Sequence, residues 1–374
     1  VNRESLDRET NSMQDPNLDS PGSDHESLLA ASCPLPITDY KEIALAHGSG
    51  GKLSHQLLSK MVLPQFTNEL LLAPLHDGAI FSLGKTRVAF STDSYVISPI
   101  FFPGGDIGKL AVYGTVNDLA MCGARPCYLS VGFILEEGTP MEDFWRVLQS
   151  MRAAADEAGV QLVTGDTKVV ERGKADKIFI NTAGIGVIAE GVNIHPRRAA
   201  VGDKVIISGP IAVHGMAIMS VREGLEFETE IRSDSAPLDR LVHELLTACR
   251  DVHVLRDPTR GGVTSALTEI AQAAGAGVIL QETSIPIDEE VKGACEILGL
   301  DPLYVANEGK LIAIVPPEEA ERALEALRSH SLGKGAAVIG EVTADHPGFV
   351  VLKTRVGGRR VVDMLSGEQL PRIC

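Results

Sequence analysis

Side chains that grip polynucleotides, pair as disulfides or cross membranes are scarce in this chain. One Trp among 374 residues, and an aromatic content of 4%, supply base stacking poorly. Lys and Arg number 34 against 50 Asp and Glu, and a net charge of −16 opposes a phosphate backbone. Nucleic acid is therefore not an expected partner, whereas a nucleotide held through a divalent cation suits so acidic a protein. The six cysteines, at 33, 122, 127, 249, 295 and 374, include no C-x-x-C pair. Neither structural zinc nor a disulfide framework is expected, which points to a reducing cytoplasm. No apolar run reaches spanning length, and the opening VNRESLDRET lacks the apolar core of a signal peptide. Membrane insertion and secretion are not expected either.

What is present is an alternating α/β pattern, rich in glycine (37 positions) and 44% hydrophobic, in a chain long enough for two domains. Residues 1–36 set seven acidic residues against Arg3 and Arg8 without an apolar period, and they read as a disordered acidic leader. An N-terminal domain is expected over 37–195. Leu53, Leu57, Leu58 and Met61 share one helical face after a glycine cluster. TRVAFSTD, CYLSVGFIL, VQLVTGD and IFINTAGIGVI read as strands, while Gly123 and Gly159 close two helices.

HPRRAAVGD then separates a second α/β domain, 196–365, with helices in HGMAIMSVREG, LDRLVHELLTACRD, GGVTSALTEIAQAAG and PEEAERALEALRSH. KVIISG, VILQET, KLIAIV and FVVLKT supply its strands. Residues 366–374, SGEQLPRIC, hold Gly367 and Pro371 and read as a mobile tail. Extended, nine residues reach about 30 Å, so the terminal thiol of Cys374 could enter a pocket. Cys122, Cys127, Cys249, Cys295 and Trp145 are read as packing residues.

Chemistry concentrates in a few short stretches. In HGSGGK, residues 47–52, glycines before a helix free backbone N–H groups to approach an anion. The Walker A pattern fails there, because Ala46 and Leu53 stand where Gly and Ser or Thr belong, so phosphate cradle and structural turn both remain open. Asp77, Asp93, Asp118 and Asp166 each sit beside Gly, Asn or Thr, and Asp257 lies two residues before Thr259 in RDPTRGG. Oxygen ligands from several segments are what Mg²⁺ requires when it also holds phosphate, although each Asp alone equally fits a cap or turn. Lys168 and Glu308 are candidates for proton transfer or simply surface charges.

Taken in order, these motifs, with DSYVISPIFFPGGDIGKLAVYGTVNDLAMCGARP, TGDTKVV, DPTRGG, ANEGK and the final PRIC, resemble a superfamily of PurM-like synthetases. Its members include aminoimidazole ribonucleotide synthetase, thiamine-monophosphate kinase and selenophosphate synthetase, and the nearest resemblance is to the HypE family of hydrogenase maturation factors. The resemblance implies a two-domain α/β PurM-like fold, a homodimer built by the N-terminal halves, and an ATP cleft. It implies that the carbamoyltransferase HypF loads a carbamoyl group on Cys374, and that ATP then drives its dehydration to a thiocyanate. The cyano group would pass to iron on a HypC–HypD scaffold during [NiFe]-hydrogenase assembly. By the same resemblance Asp77, Asp93, Asp118 and Asp257 are Mg²⁺ ligands, and Gly50, Gly51 and Lys52 touch phosphate. Asn117 and Asp166 line the nucleotide site, and Lys168 and Glu308 flank the thiocarboxamide. The rival functions are another ATP-dependent synthetase or kinase on this scaffold, or a nucleotide-binding docking protein. A selenophosphate synthetase would want a cysteine in the glycine-rich loop, and HGSGGK has none.

Overall fold

The computed structural model describes residues 36–66, 68–70, 76–225, 230–367, 370 and 372–374. Apart from Pro36, the acidic leader lies outside the described residues, as do Cys33 and Pro371. Residues 1–41 and 42–374 separate into two units, and the second carries everything below. It opens with α1 (Lys52–Leu57), continued as a π-helical turn over Leu58–Val62, and then gives β1 (Ala79–Leu83), β2 (Thr86–Tyr95), β3 (Phe101–Phe102) and β4 (Gly105–Asp106). Next come α2 (Ile107–Met121), β5 (Ala124–Glu136), α3 (Met141–Ala158), β6 (Gln161–Val170) and β7 (Ile178–Ile188).

Beyond a linker follow β8 (Lys204–Ile207), α4 (Val213–Arg222), α5 (Asp239–Ala248), β9 (Val254–Arg256), α6 (Gly262–Ala274), β10 (Gly277–Gln281) and α7 (Glu289–Leu298). The unit ends with β11 (Ile312–Val315), α8 (Ala320–Ser329), β12 (Ala337–Thr343), β13 (Val350–Lys353) and β14 (Arg359–Val362). Among the described residues no helix is long and apolar enough to cross a membrane.

Two mixed sheets organise the unit. The first runs β1-β2-β7-β5-β6, antiparallel except for the parallel β5/β6 pair that α3 connects. Alternation along β2 and β5, interrupted by bulges in β5, sends Tyr95, Leu129 and Phe133 into a core shared with Leu110, Tyr113 and Val116 of α2 and Val147 and Met151 of α3. The opposite face stays open: Phe90 and Tyr128, both in register with Ile185, are about half exposed, and so is Ile134. The edge strand β6 is exposed along nearly its whole length. Trp145 is 59% exposed rather than packed, because on α3 it points away from the face that buries Val147 and Met151.

The second sheet runs β14-β13-β10-β12-β8-β11-β9. Strand β11, IAIV, between β8 and the edge strand β9, is buried at every position because α6 and α7 cover one face and α5 and α8 the other. A strand covered on both faces reads as a continuous apolar run, as this one does. The loops after β9 and before β11 face the end of β2 and the C-terminal half of α2, where Gly114 and Asp118 line the cleft and Asn117 holds the Glu308 carbonyl. That arrangement brings residues more than a hundred positions apart to one cleft.

Candidate active site

A cleft of about 550 Å³ is lined by Asp77, Asp93, Asp118, Asp257, Glu308 and Cys374 among others. Asp118 lies on α2, Asp93 on β2, Asp77 just before β1 and Asp257 just after β9. One carboxylate oxygen each from Asp77, Asp118 and Asp257 lies within 4.8 Å of the other two. The Ser91 hydroxyl bridges two of these residues, 2.6 Å from Asp118 Oδ2 and 2.9 Å from the Asp77 carbonyl. Arg256 Nε pairs with Asp77 Oδ1 at 2.9 Å, and its Nη2 with Glu269 at 2.6 Å.

One guanidinium cannot neutralise three carboxylates. Burial, and then the neighbouring Asp257 and Asp77, push the Asp118 carboxyl well above its ordinary value. Burial and Asp77 push Asp257 up to about 8. Asp77 Oδ2 is buried without a hydrogen-bond partner. A hard divalent cation answers all of these conditions, since it takes oxygen ligands, offsets like charge and uses the unpartnered oxygen. Mg²⁺ fits this donor set. Asp93 lines the same cleft but turns to Arg260 Nη2 at 3.5 Å and accepts from the Ser94 N–H at 2.7 Å, so the structure gathers three of the four expected ligands.

The glycine loop borders the cleft from the other side. Gly50 has φ +75°, and a Cβ there would sit 2.8 Å from Arg260 Cβ; one on Gly51 would sit 2.5 Å from the Leu365 carbonyl oxygen. Both positions require glycine because the loop presses against the Arg260 loop and against residue 365. Gly50 and Gly51 line the cleft as expected of phosphate contacts. Lys52 does not: its ammonium pairs with Asp363 at 2.7 Å, and its N–H donates to the Leu365 carbonyl at 2.8 Å. The reason is directional, because Lys52 opens α1 on the side facing the end of β14.

Glu308 and Cys374 close the inner end. Glu308 is 3% exposed, and its Oε1 is buried with no hydrogen-bond partner. Burial, then Asp257 and Asp93, hold its carboxyl well above the usual range, while Arg260 pulls the other way. Cys374 is buried at 6% exposure. Burial pushes its thiol up to about 12 against the opposing pull of Arg260. The cation beside the thiol is thus Arg260 and not Arg372, whose guanidinium pairs with Asp176 at 2.9 Å. A buried acid with a free oxygen and a thiol, both lining one acidic cleft, together suit proton removal from a group carried on sulfur.

Besides Lys52, three expected site residues lie elsewhere in this chain. Asn117 is 1% exposed and its amide is spent on backbone: Nδ2 donates to the Ala236 and Glu308 carbonyls at 3.1 Å each, and Oδ1 accepts from the Leu238 N–H at 2.8 Å. It is a clamp that fixes the Glu308 loop, in place of the nucleotide contact expected of it. Asn117→Ala should therefore cost about 3 kcal/mol in urea unfolding, the penalty of several buried groups left unpaired. A loss below about 1 kcal/mol would mean that the clamp is not structural. Asp166 and Lys168 stand on the exposed β6, paired with each other at 2.5 Å, about two-thirds exposed, and away from the cleft.

Residues missed in the sequence include Arg256 and Arg260, which flank the Asp picked out of RDPTRGG. Asn307 was missed as well: it ties Ala212 N–H, at 2.7 Å, to the Pro258 carbonyl, at 2.9 Å. The signal for Asn307 was present in ANEGK, where only the Glu invites a chemical reading.

Comparison with known proteins shows which family the chain resembles over most of its length. Residues 75–188 match the N-terminal domain of AIR synthase related protein, and residues 200–353 match its C-terminal domain. The carbamoyl dehydratase HypE of Azotobacter vinelandii is 56% identical over 332 residues, covering 89% of this chain and 97% of that protein. A crystal structure of the hydrogenase maturation protein HypE in complex with ATP superposes with a TM-score of 0.75 at 52% identity, over 89% of this chain and 100% of that one. A HypE–HypF complex superposes with a TM-score of 0.78 at 49% identity, over 83% of this chain and 99% of that one.

Proposed function

The chain belongs to the HypE group of the AIR synthase related family, and on that premise we propose that it is the ATP-dependent carbamoyl dehydratase of hydrogenase maturation, with Cys374 carrying the substrate. The observation that carries the reading is the burial of Cys374 in the cleft that also holds the aspartate cluster and Glu308. A thiocarboxamide on sulfur has a poor leaving group in its oxygen. Transfer of the ATP γ-phosphoryl group to that oxygen turns loss of water into loss of phosphate. The nitrogen surrenders both protons, and the carbon is left as the nitrile of a thiocyanate.

Asp77, Asp118 and Asp257 would hold Mg²⁺, which when bound supplies charge neutralisation for the phosphates. Gly50 and Gly51 present backbone to the nucleotide. Glu308, with its unpartnered oxygen, is the group to accept a nitrogen proton: a carboxyl whose pKa burial has raised is the stronger base once ionised. Arg260 lies where charge develops on the transferring oxygen. Intact-mass and C-terminal-peptide mass spectrometry after incubation with carbamoyl phosphate, HypF and Mg-ATP tests the whole scheme. The tail peptide should gain a carboxamide and then lose one water. A tail that stays a free thiol while ATP is consumed would refute it.

Loading needs the tail outside, since a buried thiol raised to about 12 is neither ionised nor reachable by a partner. HypF is that partner in our reading, supported by the similarity to the HypE–HypF complex. The HypC–HypD scaffold as acceptor of the cyano group rests on the family resemblance. The free thiols among the described residues suit a reducing cytoplasm.

We assign the homodimer to the open face of the first sheet, where Phe90, Tyr128 and Ile134 are exposed beside the unpaired β6. A second copy covering that face buries apolar surface and blunts an exposed edge, and it is the route by which Asp166 and Lys168 join a cleft. Ile134→Asp should then halve the mass seen by light scattering. An unchanged mass would move the interface elsewhere.

A further inference from the structure

His214 and the residues around it form a socket for the backbone of the last three residues, separate from the groups that act on the thiol. The tail docks against residues 96–98. The Val96 N–H donates to Cys374 O at 3.1 Å, the Ser98 N–H donates to the Arg372 carbonyl at 3.4 Å, and Arg372 Nε donates back to the Val96 carbonyl at 2.8 Å. Arg222 braces the pair, with Nε on the Ser98 carbonyl at 2.5 Å and Nη2 on the Arg372 carbonyl.

His214, fully buried on α4, completes the grip through Nε2, 2.8 Å from the Ile373 carbonyl oxygen. A carbonyl only accepts, so Nε2 carries the proton, and Nδ1 accepts from the Ser233 hydroxyl at 2.7 Å. Ser233 Oγ in turn accepts from the Ser235 N–H at 3.1 Å, and the Phe102 ring stands edge-on to the imidazole, 5.7 Å between centroids. The tautomer and the plane of the imidazole are thereby fixed toward the tail.

We propose that His214 is a positioning residue in a docking site for a carboxy-terminal peptide, one that reads the main chain of residues 372–374 together with the buried Ile373 side chain. The inference rests on the reading that Cys374 carries the substrate. Every polar contact given above between the tail and the socket uses the tail's main chain or the Arg372 side chain, so the grip does not depend on what the sulfur carries. Free thiol, thiocarboxamide and thiocyanate tails would be held at the same depth, and a free peptide of the same sequence should compete for the socket.

The test uses the full-length protein without ATP or HypF, and follows iodoacetamide alkylation of Cys374 by peptide mass spectrometry. His214→Ala should raise the rate about tenfold, the effect of one buried hydrogen bond left unmade. His214→Gln, whose side-chain N–H can donate to the same carbonyl, should restore protection. On the unaltered protein, the peptide Leu-Pro-Arg-Ile-Ser in excess should accelerate alkylation, and a scrambled peptide should not. An unchanged rate in folded His214→Ala, or failure of the Gln variant to restore protection, overturns the proposal. If the Ala variant does not fold, peptide competition decides, and no acceleration by the matched peptide overturns it. Because no turnover is involved, this assay can fail while the dehydratase reading stands, and the mass-spectrometric test of dehydration can fail while the socket stands.

Discussion

Asp118→Asn is expected to cut ATP-dependent dehydration at least about a thousandfold, the scale of losing a metal-held charge at a phosphoryl site, and yet to make the ligand-free protein melt higher at pH 8. The two effects share one cause. In the ligand-free state Asp118 is half-buried beside Asp77, Asp93 and Asp257, and desolvation followed by those charges holds its pKa well above the usual carboxylate range. A group whose folded pKa lies above its unfolded one keeps its full stability below the unfolded value and loses it as pH rises toward the folded one. Asn removes the titrating proton and one negative charge while still offering Ser91 an oxygen.

The gain in melting temperature should therefore be present at pH 8 and vanish near pH 4, below which the wild-type carboxyl is neutral in both states. Mg²⁺ should raise the melting temperature of the wild type and barely move that of the variant. Differential scanning fluorimetry at the two pH values, with and without Mg²⁺, reads all of this. A variant less stable than wild type at pH 8 would show that these carboxylates are held by contacts beyond those described and that repulsion does not dominate the site.

Much of this arrangement was legible before any coordinates, and the parts that were not share a physical reason. Strands β2, β5 and β7 declare themselves because each buries one face, so their residues alternate. The helices α2 and α3 declare themselves by Gly123 and Gly159 at their ends, and α2, buried on nearly every side, reads as a mostly apolar run without a period. Not assigned from the sequence were β1, the two-residue β3 and β4, β9, only three residues long, β12, whose alternation is broken by a bulge between Val338 and Gly340, β14, and α7, with Gly293 in its middle.

The aspartates stood out as a set, since each alone fits a cap or turn but several from separate segments suit one cation. Direction was what the sequence could not convey. Lys52 sits in the right loop but reaches Asp363, Asn117 sits beside a cluster member but faces backbone, and Lys168 lies on an edge strand open to solvent. Residue type and spacing fix which segments meet, whereas the side of an element on which a polar group emerges is decided by packing.

Cys374→Ser should erase the tail's mass change and remove carbamoyl-dependent ATP consumption, again at least about a thousandfold, because a hydroxyl offers no comparable nucleophile for loading. It should leave nucleotide affinity within about threefold, well under the 1.4 kcal/mol of a tenfold change, since the carboxylates and the glycine loop come from other segments. The fold should tolerate the exchange. Oxygen replaces sulfur in nearly the same volume, and the contacts from Val96, Ser98, His214 and Arg222 go to the main chain.

Set against Asp118→Asn, the comparison separates the two halves of the chemistry. The aspartate variant should accept a carbamoyl group from HypF and stall as the thiocarboxamide, whereas the serine variant should bind ATP and have nothing to dehydrate. Full ATP consumption by Cys374→Ser in the presence of carbamoyl phosphate and HypF would mean that the acceptor is a diffusible small molecule. The burial of Cys374 beside Glu308 would then be packing alone. Stalling of the two variants at their separate stages would instead place the thiol and the acidic cluster in sequence along one reaction, with the tail as the carrier between them.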